Sequence, residues 1–192
     1  FSYRNGKIVY AAYEKDARWD WRDYSVIKLL DIRNGQQQTI TKRSKYFSPD
    51  ISASGSKIAA VEIAINGKSE LHVLDAATGE LKWVYSLDEG ARGAAAPRQL
   101  SGRGLSYWSD GKEDRILYVT PGYQLVALDA VTGFPVRGFG QNGIVDLKQH
   151  FDQEIDLVNA AVGLHATPMI ADDVVIVGAA FETGANPKSR MN

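Results

Sequence analysis

Val73-Leu74-Asp75-Ala76-Ala77-Thr78-Gly79-Glu80-Leu81-Lys82-Trp83 and Ala127-Leu128-Asp129-Ala130-Val131-Thr132-Gly133 are two versions of one signature. In each, an apolar strand closes on Asp-x-x-Thr-Gly, and the two aspartates stand 54 residues apart. The chemistry is local. An aspartate carboxylate accepts hydrogen bonds from the turn backbone just after it, and glycine takes the positive φ that a Cβ resists. The chain reverses there into the next strand. A hairpin signature repeated at this period points to stacked β-units, most often the blades of a propeller.

Strand signals are dense along the whole sequence and helix signals almost absent. Lys7 to Tyr13 follows the turn pair Asn5-Gly6, and Tyr24 to Ile32 runs into Asn34-Gly35. Lys57 to Ile65 and Ser69 to Asp75 flank Asn66-Gly67, a pair suited to a turn with two positive φ angles. Arg115 to Thr120 and Tyr123 to Asp129 flank Pro121-Gly122, which predicts a type II turn. Val174 to Ala179 is a nearly continuous apolar run and predicts an inner strand. The fold class expected is all-β: a partial β-propeller of four-stranded antiparallel blades, with units over 1–45, 46–88, 89–140 and an incomplete one from about 160. The segment from Gly138 to Asn159 reads as a loop.

Composition excludes several function classes. The 192 residues carry 22 basic and 23 acidic side chains, so no global field draws nucleic acid or an acidic membrane. With no cysteine there is no disulfide or thiolate chemistry. No apolar run approaches a membrane span. The chain starts at Phe1 and reads as a fragment.

Several motifs are turned down by context. Gly138-x-Gly140-x-x-Gly143 has dinucleotide-fingerprint spacing but no following helix, and is expected to be a turn cluster. Asp152-x-Glu154-x-Asp156 lacks the later positions of a calcium loop and reads as a solvated acidic loop. His72, His150 and His165 show no zinc spacing. No Gly-x-Ser-x-Gly nucleophile elbow is present. Tyr13, Trp19, Trp21 and Tyr24 could stack on a sugar or peptide, or pack between blades.

Residues 71–192 resemble the quinoprotein dehydrogenases, which bind pyrroloquinoline quinone (PQQ) in an eight-bladed propeller. Leu74 to Trp83 is similar to that family's tryptophan-docking repeat, and Ser101-Gly102-Arg103-Gly104-Leu105-Ser106-Tyr107-Trp108 to its Arg-Gly-Leu-Ala-Tyr-Trp segment. Gly138-Phe139-Gly140-Gln141-Asn142-Gly143 and Val145-Asp146-Leu147 follow the second repeat as in alcohol- and sugar-oxidising members. Arg137 stands where a second docking tryptophan would be. The resemblance implies cofactor-binding roles for Arg103, His165 and Thr167 and a calcium-ligating role for Glu182. An arginine suits a quinone because its planar, charged fork matches a pair of oxygens. The resemblance also implies PQQ and calcium as cofactors, an alcohol or sugar substrate, and a periplasmic or extracellular setting. It assigns the general base and a further calcium ligand to later blades, so no catalytic residue is expected here and the chain alone is expected to be inactive.

Residues 1–75 resemble TolB-like propeller repeats instead. Phe47-Ser48-Pro49-Asp50 and Ser54-Gly55-Ser56-Lys57-Ile58-Ala59 are similar to the Phe-Ser-Pro-Asp-Gly signature, with Ser54-Gly55 in place of its Asp-Gly. The two resemblances imply domains 1–75 and 76–192, meeting near Asp75–Glu80 as in a chimera. The TolB likeness also carries the rival expectation of a non-enzymatic scaffold that binds a protein or glycan. Open sheet edges lead us to expect self-association.

Overall fold

The computed structural model describes residues 1–65, 67–97, 104–152, 154–164 and 166–181, the side chains of 19–22 and 181 excepted. The chain divides into two compact units, Phe1–Ser86 and Leu87–Asn192.

The first unit holds two four-stranded antiparallel sheets. Strands β1 (Ser2–Arg4), β2 (Lys7–Asp16), β3 (Trp19–Asp31) and β4 (Gln36–Thr39) lie in sequence order. Strands β5 (Tyr46–Ile51), β6 (Lys57–Ile63), β7 (Ser69–Asp75) and β8 (Leu81–Tyr85) repeat the arrangement. Strand alternation explains the core. Val9, Ile27 and Leu29 from the first sheet meet Tyr46, Ile51, Ile58 and Ala60 from the second in one buried cluster. Between Phe47 and Asp50 the register slips, and Ser48 sits at φ +47°, so the Phe-Ser-Pro-Asp stretch forms a bulged strand rather than a turn.

The second unit begins with a short helix, α1 (Gly90–Ala94), and a third four-stranded sheet. Its strands are β9 (Ser106–Ser109), β10 (Asp114–Val119), β11 (Gln124–Asp129) and β12 (Ile144–Asp146). Two small antiparallel pairs follow: β13 (Val162–Gly163) with β16 (Ala180–Phe181), and β14 (Met169–Ala171) with β15 (Val174–Ile176). Leu117, Val119, Leu125 and Ala127 share a core cluster with Val162 and Leu164.

Three expectations need correction. Val174 to Ala179 is not an inner strand: β15 is three residues long, has one partner among the described residues, and leaves Val174 60% and Ile176 48% exposed. The segment from Gly138 to Asn159 is not all loop, because β12 completes the third sheet within it. The positive φ of the Pro121-Gly122 turn falls on Tyr123, at +65°, and not on Gly122. Gly122 answers to space instead. A Cβ there would come within 2.5 Å of Glu89 Oε1 and 2.9 Å of Arg92 Cγ.

The two signature turns share their backbone hydrogen bonds, and in the second Thr132 Oγ1 also donates to Asp129 Oδ1 at 2.7 Å. Asp75 Oδ1 accepts from the amides of Ala77 (2.9 Å) and Thr78 (3.0 Å), and the Gly79 amide donates to the Asp75 carbonyl. Asp129 Oδ1 accepts from Val131 (3.0 Å) and Thr132 (2.7 Å), and the Gly133 amide donates to the Asp129 carbonyl. Gly79 and Gly133 sit at φ +72° and +76°. Sequence reasoning missed a third copy at the end of β3. Asp31 Oδ1 accepts from the Arg33 amide, and the Gly35 amide, at φ +71°, donates to the Asp31 carbonyl. Asn34 there replaces the signature threonine.

Candidate functional site

Of the residues the quinoprotein resemblance singles out, Arg103, His165 and Glu182 lie outside the described residues, and Thr167 lies within them. Thr167 is exposed and meets the backbone of Gly104, where a Cβ would run into the threonine hydroxyl. The approach belongs to a longer contact. Ser106 Oγ donates to the Pro168 carbonyl, and Trp108 Nε1 donates to Asp173 Oδ1 at 3.3 Å. β9 therefore runs beside the segment leading through β14, and a glycine at 104 lets them close. Arg115 lies over the Trp108 ring, 4.7 Å from its centroid, which fixes the other end of β9.

A second polar constellation went unread in the sequence. Glu89, at the start of α1, accepts from the Gly122 amide (2.8 Å) and the Thr120 hydroxyl (2.5 Å). Arg92, one turn on, donates to the Gly122 carbonyl (2.6 Å) and grips Asp146 with both terminal nitrogens, at 2.8 and 2.5 Å. That bidentate bond holds the Asp146 carboxyl below the usual carboxylate range. Lys148, 2% exposed, donates to the Ala160 carbonyl at 2.9 Å, and burial pushes its pKa down. The group binds α1 to the β10–β11 turn and to β12. Glu89 and Arg92 reach partners 30 to 54 residues away in sequence, so no local pattern marked the group.

Elsewhere the motifs behave as turns or surface. Gly140 (φ +52°), Asn142 (φ +54°) and Gly143 (φ +91°) form a turn cluster with no helix. Asp152, Glu154 and Asp156 are exposed, and Asp156 caps its own turn through the Val158 and Asn159 amides. Trp83 is half-buried on β8, its indole Nε1 sealed from solvent with no hydrogen-bond partner among the described residues. Tyr13 is 73% exposed, while Tyr24 donates to Asp16 and lies under Arg43; the Trp19 and Trp21 side chains are outside those described. No helix among the described residues is long and apolar enough to cross a membrane.

Four-stranded antiparallel sheets repeated along the chain, each closed by the same aspartate turn, define a partial all-β propeller. The chain belongs to the PQQ family, the β-propeller domain of glucose/ethanol/alcohol dehydrogenases, whose match runs over residues 30–191. That match crosses the Asp75–Glu80 region where the two sequence resemblances meet. The chain is 27% identical over 119 residues to the glycerol dehydrogenase large subunit of Gluconobacter oxydans (strain 621H), covering 58% of this chain and 15% of that protein. It thus spans about 15% of the length of that curated relative. Similar solved structures include the β-propeller domain of the Trilobed protease from Pyrococcus furiosus, at 17% identity, 69% of this chain, 38% of that chain and TM-score 0.46. Pyrococcus horikoshii acylaminoacyl peptidase follows at 13%, 67%, 22% and 0.47, and TolB from Acinetobacter baumannii at 19%, 74%, 30% and 0.44.

Proposed function

We propose that this chain forms part of the quinone-facing wall of a PQQ-dependent alcohol or sugar dehydrogenase and is inactive alone. The observation that carries the reading is the family match over residues 30–191, within which both wall segments fall. The close approach of Gly104 to Thr167 supports it, since it brings the residue after Arg103 against the segment after His165. The donor chemistry also fits. Arg103 would offer its planar fork to the ortho-quinone or carboxylate oxygens, and His165 and Thr167 would add single polar contacts. Glu182 would supply a carboxylate oxygen to calcium. PQQ, when bound, supplies the two-electron acceptor for substrate oxidation. The chain's own contribution is to bind and orient it. Removing a substrate proton needs a base within hydrogen-bond reach, and the resemblance offers none in this chain. A periplasmic or extracellular setting follows from the same reading, whereas a division into TolB-like residues 1–75 and quinoprotein-like residues 76–192 rests on the two sequence resemblances.

Dye-coupled oxidation tests the reading. With PQQ, calcium, an artificial electron acceptor and a panel of glycerol, ethanol and aldoses, the chain should give no saturable turnover. Turnover that saturates with substrate and disappears in Arg103→Ala would show a complete enzyme and overturn the inactive-alone proposal.

A further inference from the structure

On the second sheet, the antiparallel register sets Glu62 of β6 directly opposite Glu70 of β7, and Ala60 opposite His72. Residues two apart on a strand share a face, so both carboxylates and the imidazole project from one side. The His72 Nε2 lies 3.2 Å from Glu62 Oε2 and 3.2 Å from Glu70 Oε2, and the three groups' ligand atoms all fall within 4.8 Å of one another. This is costly as a purely hydrogen-bonded arrangement. Like charges directly across a ladder repel. A single imidazole N–H cannot serve two carboxylates at full strength, and His72 is only 5% exposed.

The same atoms suit a metal. Bonds of about 2.0–2.1 Å around a tetrahedral zinc-class ion put neighbouring ligand atoms about 3.3 Å apart, the spacing the imidazole nitrogen already keeps from each carboxylate. The outer contacts are in place as well. Tyr46 Oη lies 3.0 Å from His72 Nδ1, where it can accept a hydrogen bond from the Nδ1–H and leave Nε2 free as a ligand. Ser44 Oγ donates to the other oxygen of Glu62. Tyr46 is buried, and its ring meets the imidazole edge-on at 5.6 Å, so His72 is held from the side away from the carboxylates. Glu70 keeps 27% of its side chain exposed, which leaves an entry path from solvent.

We infer that Glu62, Glu70 and His72 bind one zinc-class divalent transition-metal ion, with water in the fourth position, as a staple across β6 and β7. Mixed imidazole and carboxylate ligands favour such an ion over calcium. The inference is independent of the quinone reading, because none of these residues is assigned to the quinone or its calcium.

The test uses the tag-free chain, stripped with a chelator, then titrated with Zn²⁺ by calorimetry and with Co²⁺ by visible absorption. One equivalent should bind, the Co²⁺ spectrum should be that of a four-coordinate site, and the thermal midpoint should rise with Zn²⁺. The near-isosteric double variant Glu62→Gln/Glu70→Gln should weaken binding tenfold or more and lose the thermal shift, while His150→Ala should match the parent. If the double variant misfolds by circular dichroism, His72→Gln serves in its place. No one-to-one binding, a loss smaller than tenfold in the folded variant, or loss in His150→Ala would each overturn the inference.

Discussion

The turns Asp75–Gly79 and Asp129–Gly133 share their backbone hydrogen bonds and their glycine φ, yet the strands that follow them differ. After Gly79, β8 starts at Leu81 and pairs with β7 as far as Tyr85. After Gly133, the Asp129 and Val136 amides bond to Phe134 and Ala127 carbonyls, and then the outer strand breaks. It resumes at Ile144, after the Gly140–Gly143 turns, and β12 lasts only three residues. Pro135, which lacks an N–H, is still bridged to Leu128 just before the break. In the sheet with the intact strand, the β6–β7 turn is closed by backbone bonds from the Ala64 amide to the Lys68 carbonyl and from the Gly67 amide to the Ala64 carbonyl. The broken one is fastened by Arg92, which holds Asp146 and the β10–β11 turn together. Turn chemistry thus decides where the chain reverses. What the next strand does depends on tertiary contacts.

That contrast can be broken most forcefully at Arg92. Arg92→Ala removes the guanidinium paired with Asp146 and its bonds to the Gly122 and Tyr123 carbonyls, and should cost about 3–5 kcal/mol. Hydrogen exchange should show Gln124–Asp129 losing protection while Lys57–Ile63 keeps its own; equal loss in both would refute a brace confined to the third sheet.

A smaller effect is expected at Gly79. Its left-handed backbone costs an alanine about 1–2 kcal/mol, and the new Cβ would meet the Ile40 carbonyl. Urea unfolding of Gly79→Ala should show about 2 kcal/mol or more of destabilisation. An unchanged midpoint would mean that the turn tolerates a Cβ.

If the two turns are equivalent, Asp75→Ala and Asp129→Ala should each cost about 1 kcal/mol. Their difference, read from paired denaturant curves, should stay under about 0.5 kcal/mol. A one-sided effect would mean that the matching bonds are not matched in energy.

Acid should weaken these turns gradually. The Arg33 side chain and amide hold the Asp31 carboxyl at about 2, and turn amides lower Asp75, Asp110 and Asp156. A carboxylate with a lower pKa in the folded than in the unfolded chain stabilises the fold above the unfolded value, about 3.9. That contribution fades as pH falls through the folded value, for Asp31 between about pH 4 and about pH 2. Unfolding midpoints should be flat from pH 7 to 5 and drop below pH 4, less so in Asp75→Asn. A drop starting near pH 6 would point to histidines instead.

The sequence made the repeats legible wherever the determinant was local. Asp75, Gly79, Asp129 and Gly133 carry their own turn chemistry, and Asn5-Gly6 takes the two positive φ angles its residue types favour. The turn at Asp31 escaped notice because Asn34 stands in for threonine. Gly122 was misread for a related reason. Its lack of a side chain serves Glu89 and Arg92, which approach from 30 or more residues away. Val174 to Ala179 shows the limit of hydropathy: an apolar run specifies a strand, and its partners decide whether the strand is covered. Glu62, Glu70 and His72 were invisible as a cluster because cross-strand register, not sequence spacing, joins them.

PQQ binding itself tests the central claim most directly. Titrating the chain with PQQ in the presence of calcium, followed by calorimetry, should give saturable binding that weakens tenfold or more in Arg103→Ala and less in Thr167→Val. No saturable binding, or equal affinity in the parent and Arg103→Ala, would contradict a quinone-facing wall built from these two segments.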